Sequence, residues 1–361
     1  MAELRIARSF GSTTNCHDSA AVETVRSTLK RELDQKRLGF CFPAGYEAAH
    51  SGHRVKTRES AARRSARQTP ASRRLAIGRY DLAMADETMT SGRNLQERVS
   101  YLGRAALVVG SHPLEGLDRI RGRTEIVLCK YLPFVTGQKP SATTTEPVKN
   151  LHELLGLEWP CPLEQDFNDT WTDLEGNMAS MGLKVGKGHD ADANLAHVVW
   201  CAIRHMDPLR VLETGVARGV TSVLALRALS QSNRGVGGRL WSIDLPPMMP
   251  GWHEQSRVLV DETAWPEWTY IRGSSRRTMT STCAAMKSVD IFVHDSLHTP
   301  QTMKYEFEKV WPLMDAGGLL ISDDVEGSSI FVDFVNSHHV EKWFTAPKAD
   351  KDGLFGVALK A

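Results

Sequence analysis

From residue 209 onward, short apolar runs alternate with longer segments of helical spacing, and this alternation restricts the architecture more than any other feature of the chain. LRVLE (209–213), LWSID (240–244), WTYIRG (268–273), VDIFVHD (289–295) and GLLISDD (318–324) each have the length of a strand. VTSVLALRALS (220–230) and TMKYEFEKVWPLM (302–314) lie between them as helices. ADANLAHVVWCAIRHM (191–206), before the first run, spaces Leu195, Val198, Val199, Ala202, Ile203 and Met206 three and four apart. Strands that alternate with helices build a parallel sheet covered on both faces. WFTAP (343–347) and LFGVAL (354–359), on either side of a Lys-Asp-Gly turn, predict a C-terminal β-hairpin that adds an antiparallel strand. The expected class is α/β, a doubly wound and mostly parallel sheet.

Upstream, the texture differs. Apolar residues make up 41% and charged residues 24% of the 361, which suits a soluble globular chain and argues against collagenous, membrane-embedded or fully disordered classes. The net charge of +1 hides a basic excess before residue 150 and an acidic excess after it. The segment 54–79 carries nine basic residues against one Glu and cannot bury enough apolar surface to offset its chain entropy. Residues 1–98 are therefore read as a basic, disordered segment: a solvated tail, or sequence upstream of a start near Met89, with an electrostatic arm for nucleic acid or acidic lipid as the alternative. Residues 99–190 read as a helical extension, broken at Pro113, with a linker from Gly137 to Val148; residues 191–361 form the α/β domain. WPCPLEQDFNDTW and GLKVGKGHD, between 151 and 190, match no interpretable motif and read as a lid or an oligomer contact.

The six cysteines contain no CxxC pair, so neither a zinc ribbon nor a redox dithiol is indicated. No run of about 18 apolar residues is present, the first residues lack a signal-peptide core, and Ser72-Arg73-Arg74-Leu75 lies too far along the chain, before too many acids, to be a twin-arginine signal. The expected compartment is the cytoplasm, with no membrane partner.

In an open parallel sheet, ligands bind beyond the carboxyl ends of the strands. The first run ends in Glu213-Thr-Gly215-Val-Ala217-Arg-Gly219-Val-Thr221-Ser222. A dinucleotide fingerprint would need glycine at 217 and 220, where Ala217 and Val220 stand. The pattern instead suits a ligand with one carboxylate and one amino group, held by Glu213, Thr221 and Ser222 at a helix N-terminus: the methionine end of S-adenosylmethionine. Asp244 closes the next strand, where a carboxylate can accept both hydroxyls of a ribose. Ser274 and Ser275 follow the third, where an adenine edge would lie.

Together VLETGVARGVTS, LWSIDLPP, YIRGSS, VHDSLH and GGLLISDDV resemble the class I S-adenosylmethionine-dependent methyltransferases. The similarity is greatest to the small-molecule O-methyltransferase branch with the macrocin-type sugar O-methyltransferases and, more distantly, catechol O-methyltransferase. It spans about residues 190–361 and implies a Rossmann-like fold. It also implies that Glu213, Gly215, Ala217, Gly219, Thr221 and Ser222 surround the methionyl part, that Asp244 holds the ribose, that Ser274 or Ser275 sits near adenine, and that Asp295 borders the cofactor. Metal-dependent members carry acids where Asp295, Asp323 and Asp324 stand, which implies Mg²⁺ or another divalent cation, with helix caps as the plain alternative. His298 matches their general base. The implied acceptor is a hydroxyl of a small molecule, such as a sugar of a glycosylated metabolite.

A free imidazole titrates near about 6.5 and an unactivated hydroxyl near about 15.7, so complete proton transfer costs about 12 kcal/mol and histidine alone is a poor match. A cation on the acceptor oxygen would close part of that gap. Two alternatives stand: a metal-free methyltransferase in which Asp323 and Asp324 only cap or orient, and a nucleic-acid-binding protein that retains the cofactor fold. Asp244-Leu-Pro-Pro247 has no aromatic after it and reads as loop geometry. His294, preceding Asp295 on a strand, should face the other side and pack. Trp241, Trp252, Trp265 and Trp268 read as core, and Arg276 and Arg277 as solvated.

Overall fold

A computed structural model describes residues 107–131, 138–183, 190–231, 237–248, 252–261, 263 and 265–361; the basic segment 1–98 lies outside them. Among the described residues a helical stretch at 107–111 is followed by α1 (Pro113–Tyr131), α2 (Pro147–Leu155) and α3 (Glu164–Ser180). Then α4 (Ala193–Met206) leads into β1 (Arg210–Thr214), α5 (Val220–Ser230), β2 (Arg239–Asp244), β3 (Trp268–Arg272), α6 (Ser275–Met286) and β4 (Ile291–His294). The chain ends with α7 (Pro300–Val310), β5 (Leu319–Ser322), α8 (Ile330–Ser337), β6 (Val340–Pro347) and β7 (Leu354–Lys360).

The seven strands form one sheet in the order β3-β2-β1-β4-β5-β7-β6. The first five are parallel, while β7 runs antiparallel to both β5 and β6, so the hairpin expected from the sequence completes the sheet. Alternation along each strand divides the core. Val211, Ile291, Val293, Leu319 and Ile321 pack with α2, α4 and α5; Leu212, Phe292 and Leu320 pack with α6, α7 and α8. These side chains are 0–1% exposed, as expected of strands covered on both faces.

Helix limits follow local chemistry. Pro113, Pro147 and Pro300 stand at first helical positions, where no backbone donor is needed. Asp192 caps α4 by accepting the Asn194 N–H at 2.9 Å, and Thr299 caps α7 through the Thr302 N–H. α2 stops at Gly156, whose φ of 68° is left-handed. The stretch read as a linker is tied to the sheet edge: the Thr143 N–H donates to Thr345 O at 2.8 Å, and the Thr345 hydroxyl to Ser141 O at 2.6 Å. Edge strand β6 is thereby covered, one way to block unwanted strand pairing. Among the described residues no helix is long and apolar enough to cross a membrane.

Candidate functional site

Strand order reverses at β1, whose neighbours are β2 and β4, the position at which open α/β sheets bind their ligands. Backbone hydrogen bonds just beyond the strands carry the register onto this edge. The Gly215 N–H donates to Ile243 O, Gly273 to Asp244 O, Asp295 to Thr214 O and Asp323 to His294 O, all at 2.8–2.9 Å. The structure thus brings Gly215, Asp244, Asp295 and Asp323 into one row.

Gly215 is required there. Its φ is +86°, and a Cβ would lie 1.9 Å from the Asp295 carbonyl oxygen, so the tight approach is to the end of β4. Ala217 takes a left-handed φ of 48°, and Gly219, at φ +95°, starts α5. Thr221 and Ser222 follow in the first turn, both buried. Beneath them Glu213 is 1% exposed, and its Oε2 accepts the hydroxyls of Ser222 (2.6 Å) and Ser242 (2.7 Å). Its Oε1 is buried without a partner. Burial pushes the Glu213 carboxyl up to about 7, although the two serines oppose the rise.

Asp244 is placed similarly, with neutral partners. Oδ1 accepts the Val216 N–H at 3.2 Å and Oδ2 the Tyr270 hydroxyl at 3.3 Å. Burial raises its pKa against those bonds and the nearby Arg119 and Arg272. Ser274 heads α6 with its hydroxyl buried and unpartnered, and Ser275, the first helical residue, is buried. Glu213 Oε1 and Ser274 Oγ are thus left without partners at the ends of β1 and β3, with the Asp244 carboxylate at the end of β2 between them.

The other half of the row is ionic. His298 Nε2 lies 3.6 Å from Asp295 Oδ1 and 3.5 Å from Asp324 Oδ2. Burial would lower its pKa, but Asp324 and Asp295 lift it to about 10, so the imidazole is protonated at neutral pH. Lys348, just beyond β6, donates to Asp323 Oδ2 at 2.9 Å and to Asp324 Oδ1. Asp324 adopts a left-handed φ of 49° that turns its carboxylate toward both cations, which hold it near about 2 against its burial. Asp323 is pushed up to about 7 by burial, and its Oδ1 has no partner.

These contacts bear on a divalent ion. Asp295, Asp323 and Asp324 converge, but Asp323 and Asp324 both bind the Lys348 ammonium and Asp324 also faces His298, so the three carboxylates together do not fit as a ligand set. A smaller group, Asp295, His298 and Asp323, has one ligand atom each within 4.8 Å of the others.

Several supporting residues carry no sequence signal. Lys348 is one. Glu306, fully buried on α7, accepts from Thr214 (2.7 Å) and Ser296 (2.7 Å) and pairs with His294 Nδ1 at 2.6 Å. His294 therefore packs, and its ring stands edge-on to His298 at 5.3 Å. α1 lies along the same edge: Glu115 accepts from Arg272 at 2.9 Å, Asp118 from the Ser274 N–H and Arg277, and Glu125 from Thr299 and Thr302. Hydrogen bonds from Arg272 and Arg119 hold Glu115 near about 2 although burial raises it. Arg276 and Arg277, read as solvated, pair with Glu125 and Asp118.

Residues 212–325 match the family model described as a methyltransferase domain. No curated protein matches the chain in sequence. Among solved structures it is similar to the O-methyltransferase TomG from Streptomyces achromogenes, involved in tomaymycin synthesis and in complex with SAM. That similarity has 14% identity and a TM-score of 0.41, covering 66% of this chain and 96% of that one. It is also similar to the O-methyltransferase from Bacillus cereus in complex with SAH, at 15% identity and a TM-score of 0.41, covering 60% and 98%. The family match falls on the stretch from β1 to just past β5, which supplies every strand end described above.

Proposed function

We propose that the protein transfers the methyl group of S-adenosylmethionine to a hydroxyl of a small molecule. The observation that carries the reading is the row of strand ends. Glu213, Asp244 and Ser274 offer acceptors along one half, and His298 stands in the other beside Asp295. The bound cofactor supplies an electrophilic methyl on a sulfonium, and the protein supplies alignment, charge and a route for the acceptor's proton.

His298 is the residue for that proton. With a pKa of about 10, its neutral form is about one part in a thousand at pH 7, a cost of about 4 kcal/mol. Added positive charge beside Asp295 weakens the hold on the imidazolium proton and lowers that cost. His298 then accepts the hydroxyl proton as the oxygen attacks the methyl, and passes it to solvent. The Lys348 ammonium neutralises Asp323 and Asp324, so a resident cation already fills the role that a divalent ion would take among them. A second reading, favoured by the proximity of Asp295, His298 and Asp323, adds a divalent cation on those three. Chelation separates the two: turnover unchanged after dialysis against EDTA supports the lysine-centred site, and loss restored by Mg²⁺ supports the second.

The acceptor class is inherited from the sequence resemblance to small-molecule O-methyltransferases, with a sugar hydroxyl as the narrowest form. The test is transfer of labelled methyl from S-adenosylmethionine to a panel of glycosides, catechols, amines and RNA. Methylated oxygen in a small acceptor supports the proposal; label confined to nitrogen or to RNA defeats it. The six cysteines without CxxC spacing suit a cytoplasmic setting.

A further inference from the structure

The residues between 147 and 206 hold a second cluster of chemistry-bearing side chains, separate from the strand-end row. His152 comes from α2, Cys161 from the loop before α3, and Cys201 and His205 from one face of α4, four residues apart. Their ligand atoms lie within 4.8 Å of one another. His152 and Cys201 are fully buried and Cys161 is 5% exposed.

We propose that His152, Cys161, Cys201 and His205 form a structural zinc site. Three observations support it. First, the spacing fits. With Zn–S near about 2.3 Å and Zn–N near about 2.0–2.1 Å, a tetrahedral ion sets sulfur and nitrogen about 3.6 Å apart. Cys161 Sγ lies 3.5 Å from His205 Nε2, and Cys201 Sγ lies 3.4 Å from His152 Nε2. Two isolated thiol–imidazole contacts could have such lengths, but they would not need all four atoms to lie within 4.8 Å of one another.

Second, the far side of one imidazole is arranged as metal-bound histidines usually are. His152 Nδ1 is 2.6 Å from the Glu158 carbonyl oxygen and donates to it. That bond fixes the tautomer and leaves the Nε2 lone pair toward the cluster. Third, the composition is that of a closed site. Two thiolates and two neutral imidazoles balance a dication, with the two thiol protons released on binding, and four protein ligands fill a tetrahedral ion with no open position for a substrate. Soft sulfur ligands select zinc over the hard ions that suit carboxylates. The two cysteines are free thiols.

The site would fasten α2 and the loop through Cys161 to α4, the helix that leads directly into β1. It therefore acts on stability and does not depend on the methyl-transfer reading. The sequence conceals it because the only regular spacing is Cys201-x-x-x-His205; the other two ligands come from 40 or more positions upstream.

The test is metal analysis of the full-length protein from zinc-supplemented medium, followed by Co²⁺ substitution. One zinc per chain, a tetrahedral Co²⁺ spectrum with thiolate charge transfer, loss of both in Cys161→Ser, and a melting temperature several degrees lower after zinc removal are expected. Four results would each overturn the proposal: wild-type protein with no stoichiometric metal, a Cys161–Cys201 disulfide by mass spectrometry, Co²⁺ bound without thiolate charge transfer, or full zinc in Cys161→Ser. The first three are read on wild-type protein, so a poorly folding variant does not protect it.

Discussion

The two halves of the strand-end row use carboxylates in opposite ways. On the β1–β3 side, Glu213 and Asp244 are bonded by hydroxyls and a backbone N–H, their pKa values rise, and Glu213 Oε1 is left unpartnered. On the β4–β5 side, Asp295 and Asp324 face His298, and Lys348 binds Asp323 and Asp324. One half keeps buried acceptor capacity for a ligand that brings its own donors and positive charge. The other is neutralised by the protein's own cations, and there the proposed function puts the proton transfer. Binding and chemistry should therefore separate between variants.

The largest separation is expected at His298. His298→Ala should lower turnover by about 10²–10⁴-fold, the usual range for a lost general base, while leaving cofactor affinity within a factor of two or three. Steady-state kinetics with calorimetry reads both, and an equal fall in affinity would erase the distinction between the halves. Lys348→Met leaves the buried Asp323 and the half-buried Asp324 without their ammonium, a change that costs about 3–5 kcal/mol when one partner of a buried pair is removed. Denaturant unfolding checks it; a loss under about 1 kcal/mol would mean that the pair is solvated.

Asp244→Ala should weaken S-adenosylmethionine binding by about 10–100-fold, the worth of a charge-assisted hydrogen bond of about 1.5–3 kcal/mol. Turnover at saturating cofactor should change less. The smallest effect concerns pH. Glu213 gains a negative charge as pH rises through about 7, so binding of a ligand ammonium to Oε1 should tighten between pH 6 and 8. Folding stability moves the other way. Because the folded pKa is raised, the Glu213 contribution is complete below the unfolded value of about 4.5 and fades as pH rises through about 7. Glu213→Gln should flatten both curves, and an unchanged profile would mean that this carboxyl does not titrate there.

The sequence carried the sheet well, because β1, β2, β4 and β5 are short apolar runs ended by turn residues. It also marked Gly215, Asp244, Asp295 and Asp323, since each closes or directly follows a strand, and His298, four residues past β4. Other features depended on packing. α6 escaped notice because its buried stripe includes Thr278 and Thr282 beside Met279 and Cys283, so no apolar period stands out. Lys348 lies at the end of a hairpin strand, and only the insertion of β7 beside β5 returns it to Asp323. The helix break expected at Pro113 is where α1 begins, but its use as a polar brace across the edge through Glu115, Asp118 and Glu125 carried no sequence signal. His152 and Cys161 belonged to a stretch with no readable motif, although they meet Cys201 and His205 in three dimensions.

The central claim is that these strand ends form one pocket for a sulfonium nucleoside. Isothermal titration of S-adenosylmethionine into the wild-type, Asp244→Ala and His298→Ala proteins tests it most directly. Saturable binding of one molecule per chain, retained in His298→Ala and strongly weakened in Asp244→Ala, is the predicted result; absence of saturable binding to the folded wild-type protein, or full affinity in Asp244→Ala, would contradict it.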